Sequence, residues 1–294
     1  MPSVRNHQAK AITRRKLIAA LCFAPLATRP ALANKNAIKI AALDWAWAES
    51  VVALGVMPMA VAEAPLYRKR VVAPDLAMTV TDLGLRSWPN MELLKSLHPD
   101  LIVAQAGYGP SASQLEPIAP VLALPLYSAE RRPLRNAESG LSMIAARIGC
   151  GAQARDYLAQ ADAVFDTLRQ RLQTYDDRPL LVIKFADDRL IDIYGPGSLF
   201  DDVLSRLGLV NGWQRSGSHW GFSTASLEAI SEFSDARVII VEPGPSETLS
   251  SSRLWNALPV VRARRVTSIA PTWVFGGLPS ALRFADHLAR ALLS

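Results

Sequence analysis

Short apolar runs alternate with helically spaced apolar positions along most of this chain. Ile38–Leu43, Met59–Ala62, Leu101–Ala104 and Val121–Leu126 are compact enough to predict buried strands. Between them, Trp47–Leu54, then Met91, Leu94 and Leu97, and finally Asn136–Ile148 carry apolar residues every three or four positions, the spacing of a helix packed on one face. Such βα alternation argues for a mostly parallel sheet. From Ala152 to about Thr174 the periodicity runs without a Gly or Pro through Tyr157, Ala161, Val164, Leu168 and Leu172. At ~1.5 Å per residue such a helix crosses a small domain; it suits a rigid connector between lobes and equally an amphipathic surface helix of one domain.

A hairpin follows, Leu180–Phe185 and Leu190–Tyr194 turned at Ala186-Asp187-Asp188, and then helix, strand and helix again. The last helix, Pro279–Leu293, would pack through Leu282, Ala285, Leu288 and Leu292. Glu92, Leu94, Leu97, Ile102 and Val103 are echoed at constant offset by Glu228, Ile230, Phe233, Val238 and Ile239. Each set reads as a short helix feeding a buried strand, a pattern any α/β unit can produce and one that two similar lobes would repeat.

Charge matters chiefly through where it lies. Thr13-Arg14-Arg15-Lys16-Leu17-Ile18, the apolar run Ala19–Ala27 and the small-residue site Ala31-Leu32-Ala33 predict a secretory leader of twin-arginine type, cleaved after Ala33. Residues 1–33 hold six bases and no acid, so 32 bases become 26 against 26 acids, and the formal +6 belongs wholly to the leader. A neutral mature chain lacks the electrostatic footprint of nucleic-acid binding. Of two cysteines only Cys150 remains beyond the leader, which excludes an intramolecular disulfide. The remaining 261 residues exceed one ordinary α/β core. The expected organisation is a leader (1–33), an N-terminal α/β lobe (34–150), a connecting helix (151–176) and a C-terminal α/β lobe (177–294).

The chemistry-bearing residues fall on loops. Arg86 precedes the Met91 helix and Tyr108 follows the Leu101 strand, where α/β layers place ligand-reaching loops. A guanidinium fork and a phenol there can hold an anionic or oxygen-rich ligand; alternatively Arg86 pairs with a surface carboxylate and Tyr108 caps a turn. Trp220, between Ser218-His219 and Gly221, and Trp273 also lie in loop settings, although a single Trp is more often core. His219 fits a ligand donor and a bystander equally. No G-x-S-x-G, G-x-x-x-x-G-K-[ST], H-E-x-x-H or C-x-x-C occurs, and no second ligand stands at metal spacing from His98 or His287.

The stretches G-L-R at Arg86, A-G-Y-G-P-S at Tyr108, I-A-A-L-D-W ending at Trp45, Y-G-P-G-S-L-F from Tyr194, H-W-G-F-S-T-A-S-L-E from His219 and W-V-F-G-G-L-P-S-A-L-R-F from Trp273 occur in an order that resembles the ferric-hydroxamate-binding proteins (FhuD type) of bacterial iron-siderophore ABC importers. The likeness covers nearly the whole mature chain. It implies two α/β lobes joined by a long backbone helix. It also implies a monomeric periplasmic receptor, without cofactor or enzymatic activity, that passes an iron(III)-hydroxamate siderophore to an inner-membrane ABC permease with its ATPase.

By the same resemblance Arg86 and Tyr108 contact the iron-hydroxamate centre, Trp220 and Trp273 wall the pocket, and Trp45, Phe275 and Ser218 complete it. Phe275 replaces a tyrosine of close relatives; Ala104 and Arg70 replace tryptophans, which predicts a less aromatic first-lobe side, with Trp88 a candidate replacement ring. Glu116 and Glu247, beyond equivalent strands of the two lobes, are candidate permease-docking carboxylates. The alternatives are a receptor for another chelate (catecholate, haem or cobalamin) and a twin-arginine-exported periplasmic enzyme.

Overall fold

The computed structural model describes residues 38–241 and 244–293, so the predicted leader lies outside the described residues. The first lobe runs β1 (Ile40–Ala42), α1 (Trp45–Ala53), β2 (Ala60–Val61), α2 (Ala64–Arg70), β3 (Thr81–Asp82), α3 (Met91–Ser96), β4 (Leu101–Gln105), α4 (Ala112–Leu115), β5 (Val121–Leu124) and α5 (Pro133–Ile148). Its strands pair in the order β3-β2-β1-β4-β5, all parallel, as the apolar runs predict. Parallel strands are buried on both faces and need little alternation, and β4 is buried throughout.

After the connecting helix α6 (Gly151–Leu172) come β6 (Leu180–Phe185), β7 (Leu190–Tyr194), α7 (Leu199–Leu207), β8 (Phe222–Ser226), a 3₁₀ segment (Leu227–Phe233), β9 (Arg237–Val241), α8 (Glu247–Ser250), α9 (Arg253–Ala257), α10 (Pro259–Arg262), β10 (Val266–Ile269) and α11 (Leu278–Leu293). The order β10-β9-β6-β7-β8 is mixed, because the predicted hairpin makes β7 antiparallel to β6 and β8. The internal echo is structural: the 3₁₀ segment and β9 each begin 136 residues after α3 and β4. The short elements α2, β3, α4, β8 and β10, and the division of 247–262 into three helices, escaped the sequence reading, since two to seven residues leave little periodicity to detect.

The connector reading of α6 holds. Its 22 residues span roughly 33 Å. Ala161, Phe165, Leu168 and Leu172 bury one stripe in a core that joins Trp47 and Leu141 of the first lobe to Phe200, Phe284 and Leu288 of the second. Side chains there have close-packed neighbours on every side, so any movement of one lobe against the other must deform a shared core. Gly140 of α5 meets Trp47 so closely that a Cβ would lie 2.4 Å from the indole ring. A glycine that weakens the helix by about 1 kcal/mol lets helix and indole approach.

Polar pins cross between the lobes as well. The backbone N–H of Leu134 in α5 donates to Asp202 of α7 at 3.0 Å. Glu49 of α1, wholly buried, accepts from Gly277 N–H and from Ser280 Oγ (2.7 Å) at the start of α11. Burial raises the Glu49 pKa to about 8 against the lowering pull of these donors. Cys150 is free and buried just before α6. Among the described residues no helix is long and apolar enough to cross a membrane.

Candidate functional site

Every strand of the first sheet delivers a side chain to the same place. Asp44 follows β1, Glu63 follows β2, Arg86 lies on the loop after β3, Gln105 ends β4 with Tyr108 just beyond, and Tyr127 follows β5. Parallel strands present all their carboxyl ends along one edge, which is where open α/β sheets hold ligands. From the second lobe Trp220 and Phe222 arrive at the start of β8, and Trp273 and Phe275 on the loop before α11.

Together they enclose a cavity of about 300 Å³ lined by Asp44, Arg86, Gln105, Tyr108, Leu126, Tyr127, Trp220, Phe222, Trp273 and Phe275. The halves touch through rings: Tyr108 and Trp220 meet edge-on at 6.2 Å between centroids, and Tyr127 reaches Trp220 at 5.2 Å and Phe275 at 5.9 Å. Edge-to-face geometry sets a ring's positive rim on a negative face, which holds these walls in fixed relative orientation.

Two glycines lock the loops that carry the walls. Gly109, at φ 73°, lies so near the Arg86 carbonyl that a Cβ would sit 2.7 Å from its oxygen. Gly221, at φ 77°, would put a Cβ 2.2 Å from the Ser198 nitrogen. Only glycine takes this left-handed backbone without strain and leaves room for the approach. Tyr108 and Trp220 are the preceding residues, so their positions depend on these contacts.

Arg86 is held on three sides. Its Nε donates to Glu63 Oε2 at 2.7 Å, Nη1 lies 3.9 Å from Asp44 Oδ2, and its Cζ stacks 3.9 Å from the Trp45 ring centre and 5.0 Å from that of Trp273. The other Asp44 oxygen, Oδ1, caps α1 by accepting from Ala46 N–H at 2.9 Å. Glu63 takes a left-handed backbone conformation, φ 53°, that turns the chain into α2. Burial raises the pKa of Asp44 while Arg86 pulls it down, and burial raises the Tyr127 phenol so that it stays neutral. The Tyr127 hydroxyl donates to the Val274 carbonyl at 3.4 Å.

Of the residues singled out from sequence, Arg86, Tyr108, Trp220, Trp273 and Phe275 share this cavity. Trp45 does not line it: the ring is fully buried beneath Arg86, with its indole N–H donating to the Ala62 carbonyl at 2.8 Å. Trp45 opens α1, which begins two residues earlier than the sequence predicts, and its ring packs edge-on against Tyr67 and Trp273 in a buried cluster. Ser218 is exposed outside the lining, where its carbonyl accepts from Arg131 at 3.3 Å. His219 stands exposed beside Trp220, ring centres 5.3 Å apart.

Ala104 faces Leu83, Leu94 and Leu115, because residues alternate sides along a strand and Gln105 takes the cavity side. Trp88 is 81% exposed and stands outside the cavity lining. Glu116, at the C-cap of α4 after β4, and Glu247, the first residue of α8 after β9, are both exposed. Among the described residues no group of three or more His, Cys, Asp or Glu is placed to hold a metal ion.

A larger polar groove of about 490 Å³ lies between α5 and α7, lined by Arg132, Arg135, Glu138, Asp202 and Arg206 among others. Arg206 is already paired with Asp162, and Asp202 with the Leu134 amide.

Comparison with known proteins identifies the family. The model of the periplasmic binding protein family matches residues 40–272. The iron(3+)-hydroxamate-binding protein FhuD of Escherichia coli is 34% identical over 287 residues, covering 96% of this chain and 97% of that protein. The chain belongs to the periplasmic binding protein family, and within it to the FhuD type. The crystal structure of a siderophore-binding FhuD from Vibrio cholerae, bound to ferric Desferal, superposes with a TM-score of 0.82 at 30% identity, covering 88% of this chain and 98% of that one. The Fe(3+)-citrate-binding protein YfmC of Bacillus subtilis is 23% identical over 252 residues, covering 83% of this chain and 77% of that protein. Sequence reasoning missed Asp44, Glu63, Gln105 and Tyr127, although each lies within three residues of a strand's carboxyl end. That placement was the available signal.

Proposed function

We propose that this protein is a periplasmic receptor that captures a ferric hydroxamate siderophore between its lobes and delivers it to an inner-membrane ABC permease. The observation that carries the reading is the junction of one guanidinium with aromatic walls from both lobes around a single cavity. A hydroxamate chelate offers oxygens on one side and apolar linkers on the other, and such a ligand calls for a few fixed donors among rings. Arg86 spends its Nε on Glu63, and its two Nη groups carry four further N–H donors. The cavity is at the lower end of the ~300–1,000 Å³ range of ligand pockets, so the guest seats its iron centre inside and leaves its far side outside. The ferric-hydroxamate names of the Escherichia coli and Vibrio cholerae relatives support the same guest. No bond is made or broken; the iron arrives already wrapped, and the receptor acts as a monomer.

Tryptophan fluorescence tests this directly, because Trp220 and Trp273 line the cavity. Saturable quenching by a ferric trihydroxamate, weaker with the iron-free ligand and with a ferric tris-catecholate, is the expected result. No saturable change with any ferric trihydroxamate would refute the reading.

Glu116 and Glu247, exposed beyond equivalent strands, are the proposed contacts to permease arginines. Charge pairs of this kind act mainly on encounter and register. Replacing both by Ala is expected to abolish iron uptake in cells while leaving chelate titrations unchanged; normal uptake would remove them from the docking surface.

A further inference from the structure

Among the described residues the cavity has one cation, and that cation is over-matched. Arg86 hydrogen-bonds Glu63 at 2.7 Å and faces Asp44 at 3.9 Å, and no other Lys or Arg among the described residues lines the cavity. The described lining alone carries one positive and one negative side chain; Glu63, paired with Arg86, adds a second negative charge. Both carboxylates are largely shielded, with side-chain exposures of 10% for Asp44 and 18% for Glu63. Charges in such a setting interact more strongly than in open water, while their remaining exposure leaves them open to partial screening by salt.

An anionic guest brought here meets a fork that is already neutralised and a carboxylate across from it. A neutral guest meets neither penalty. A tris-hydroxamate complex of iron(III) is neutral, because three single negative charges cancel the metal's. A tris-catecholate or citrate complex keeps excess negative charge.

Resting on the hydroxamate reading, we infer that Asp44 and Glu63 are specificity-determining residues: they set the charge of the guest, admitting neutral and cationic ferric chelates and rejecting anionic ones. Rejection by a built-in unfavourable element is a common route to specificity. Asp44 is placed for it because the two oxygens have separate tasks: Oδ1 holds the α1 cap and Oδ2 faces Arg86.

The experiment compares affinities of three chelates, a neutral cyclic ferric trihydroxamate, a linear ferric trihydroxamate carrying a free ammonium group, and ferric citrate, for the wild-type protein, Asp44→Asn and Glu63→Gln. Asparagine preserves a capping oxygen, and thermal melts verify that each variant folds. The readout is the ratio of affinities, which a merely structural defect leaves alone. Each substitution is expected to raise the citrate-to-neutral ratio by about tenfold or more and to lower the ammonium-to-neutral ratio, the scale of a like-charge contact removed or an attraction lost.

Raising ionic strength should move the wild-type ratios the same way, since salt screens the carboxylates. If Asp44→Asn fails to fold, Glu63→Gln and the salt series still decide. Ratios unmoved by substitution and by salt, with the neutral chelate still bound by the wild type, would overturn this inference and leave the receptor reading standing. Failure of the wild type to bind either trihydroxamate would overturn both.

Discussion

Arg86→Ala is expected to weaken binding of a ferric trihydroxamate by about 10- to 100-fold, roughly 1.4–3 kcal/mol, the range of a lost charge-assisted hydrogen bond in a shielded site. Two losses add. The guest loses its fork of donors, and the cavity keeps two carboxylates whose shared counter-ion is gone. Removing one partner of a buried pair destabilises by up to about 3–5 kcal/mol, but these groups retain 10–18% exposure, which places the effect on folding nearer about 1–3 kcal/mol. Arg86→Lys separates the two: it keeps the charge and forfeits the fork and the stacking on Trp45. Fluorescence titration beside thermal melts of both variants checks the prediction. Stability restored in the Lys variant with affinity still low is the expected pattern. Wild-type affinity in the Ala variant would remove Arg86 from the binding surface.

How much of this site could be read from the chain depends on what kind of signal each residue leaves. Arg86, Tyr108, Trp220, Trp273 and Phe275 stand in loops beside Gly or Pro, where a large polar or aromatic residue has no obvious core to fill, and the structure gathers them. Trp45 stands just as close to a strand end, yet it opens helix α1 and is fully buried beneath Arg86. A boundary error of two residues is enough to exchange a wall for a core residue.

Asp44 and Glu63 left no mark, because an acid near a strand end resembles any cap. Their meaning comes from their distance to Arg86, across 42 and 23 residues of sequence. The strands and long helices were legible because burial on both faces, or on one stripe, forces continuous apolar patterning. The sheet order was not. Pairing β1 between β2 and β4 is a tertiary choice, which local apolar patterning does not encode.

Stability should decline as the pH rises from about 4.5 to about 8, and Glu49→Gln should abolish that part of the slope. The sign follows from proton binding. Burial raises the Glu49 pKa from the ordinary carboxylate value of 4.5 to about 8, so between these values the native state holds a proton that the unfolded chain has released. Stability is then complete below about pH 4.5 and drains away as the pH approaches 8. Each unit of pKa difference corresponds to about 1.4 kcal/mol, which makes the total a few kcal/mol.

The donors at the start of α11 oppose this. Gly277 N–H and Ser280 Oγ bond the carboxyl, and a helix N-terminus favours an anion there. Such effects are worth about 0.3–2 kcal/mol, less than the several units of desolvation possible for a fully buried acid. Burial therefore dominates. Asp202, whose pKa is raised to about 6 by burial, adds a slope of the same sign over a narrower window, so the informative quantity is the wild-type curve minus that of Glu49→Gln.

Glutamine keeps an acceptor for Gly277 and offers Ser280 a donor, and it cannot ionise. The variant should match the wild type within about 1 kcal/mol at pH 5 and exceed it by a few kcal/mol at pH 9 in urea unfolding. Glu49→Ala should instead lose about 1–3 kcal/mol at pH 5, since it strands the Gly277 amide and the Ser280 hydroxyl in the core. Parallel curves for wild type and Glu49→Gln across this range would mean that the carboxyl ionises freely where it sits, and that the contact between α1 and α11 is insensitive to its charge.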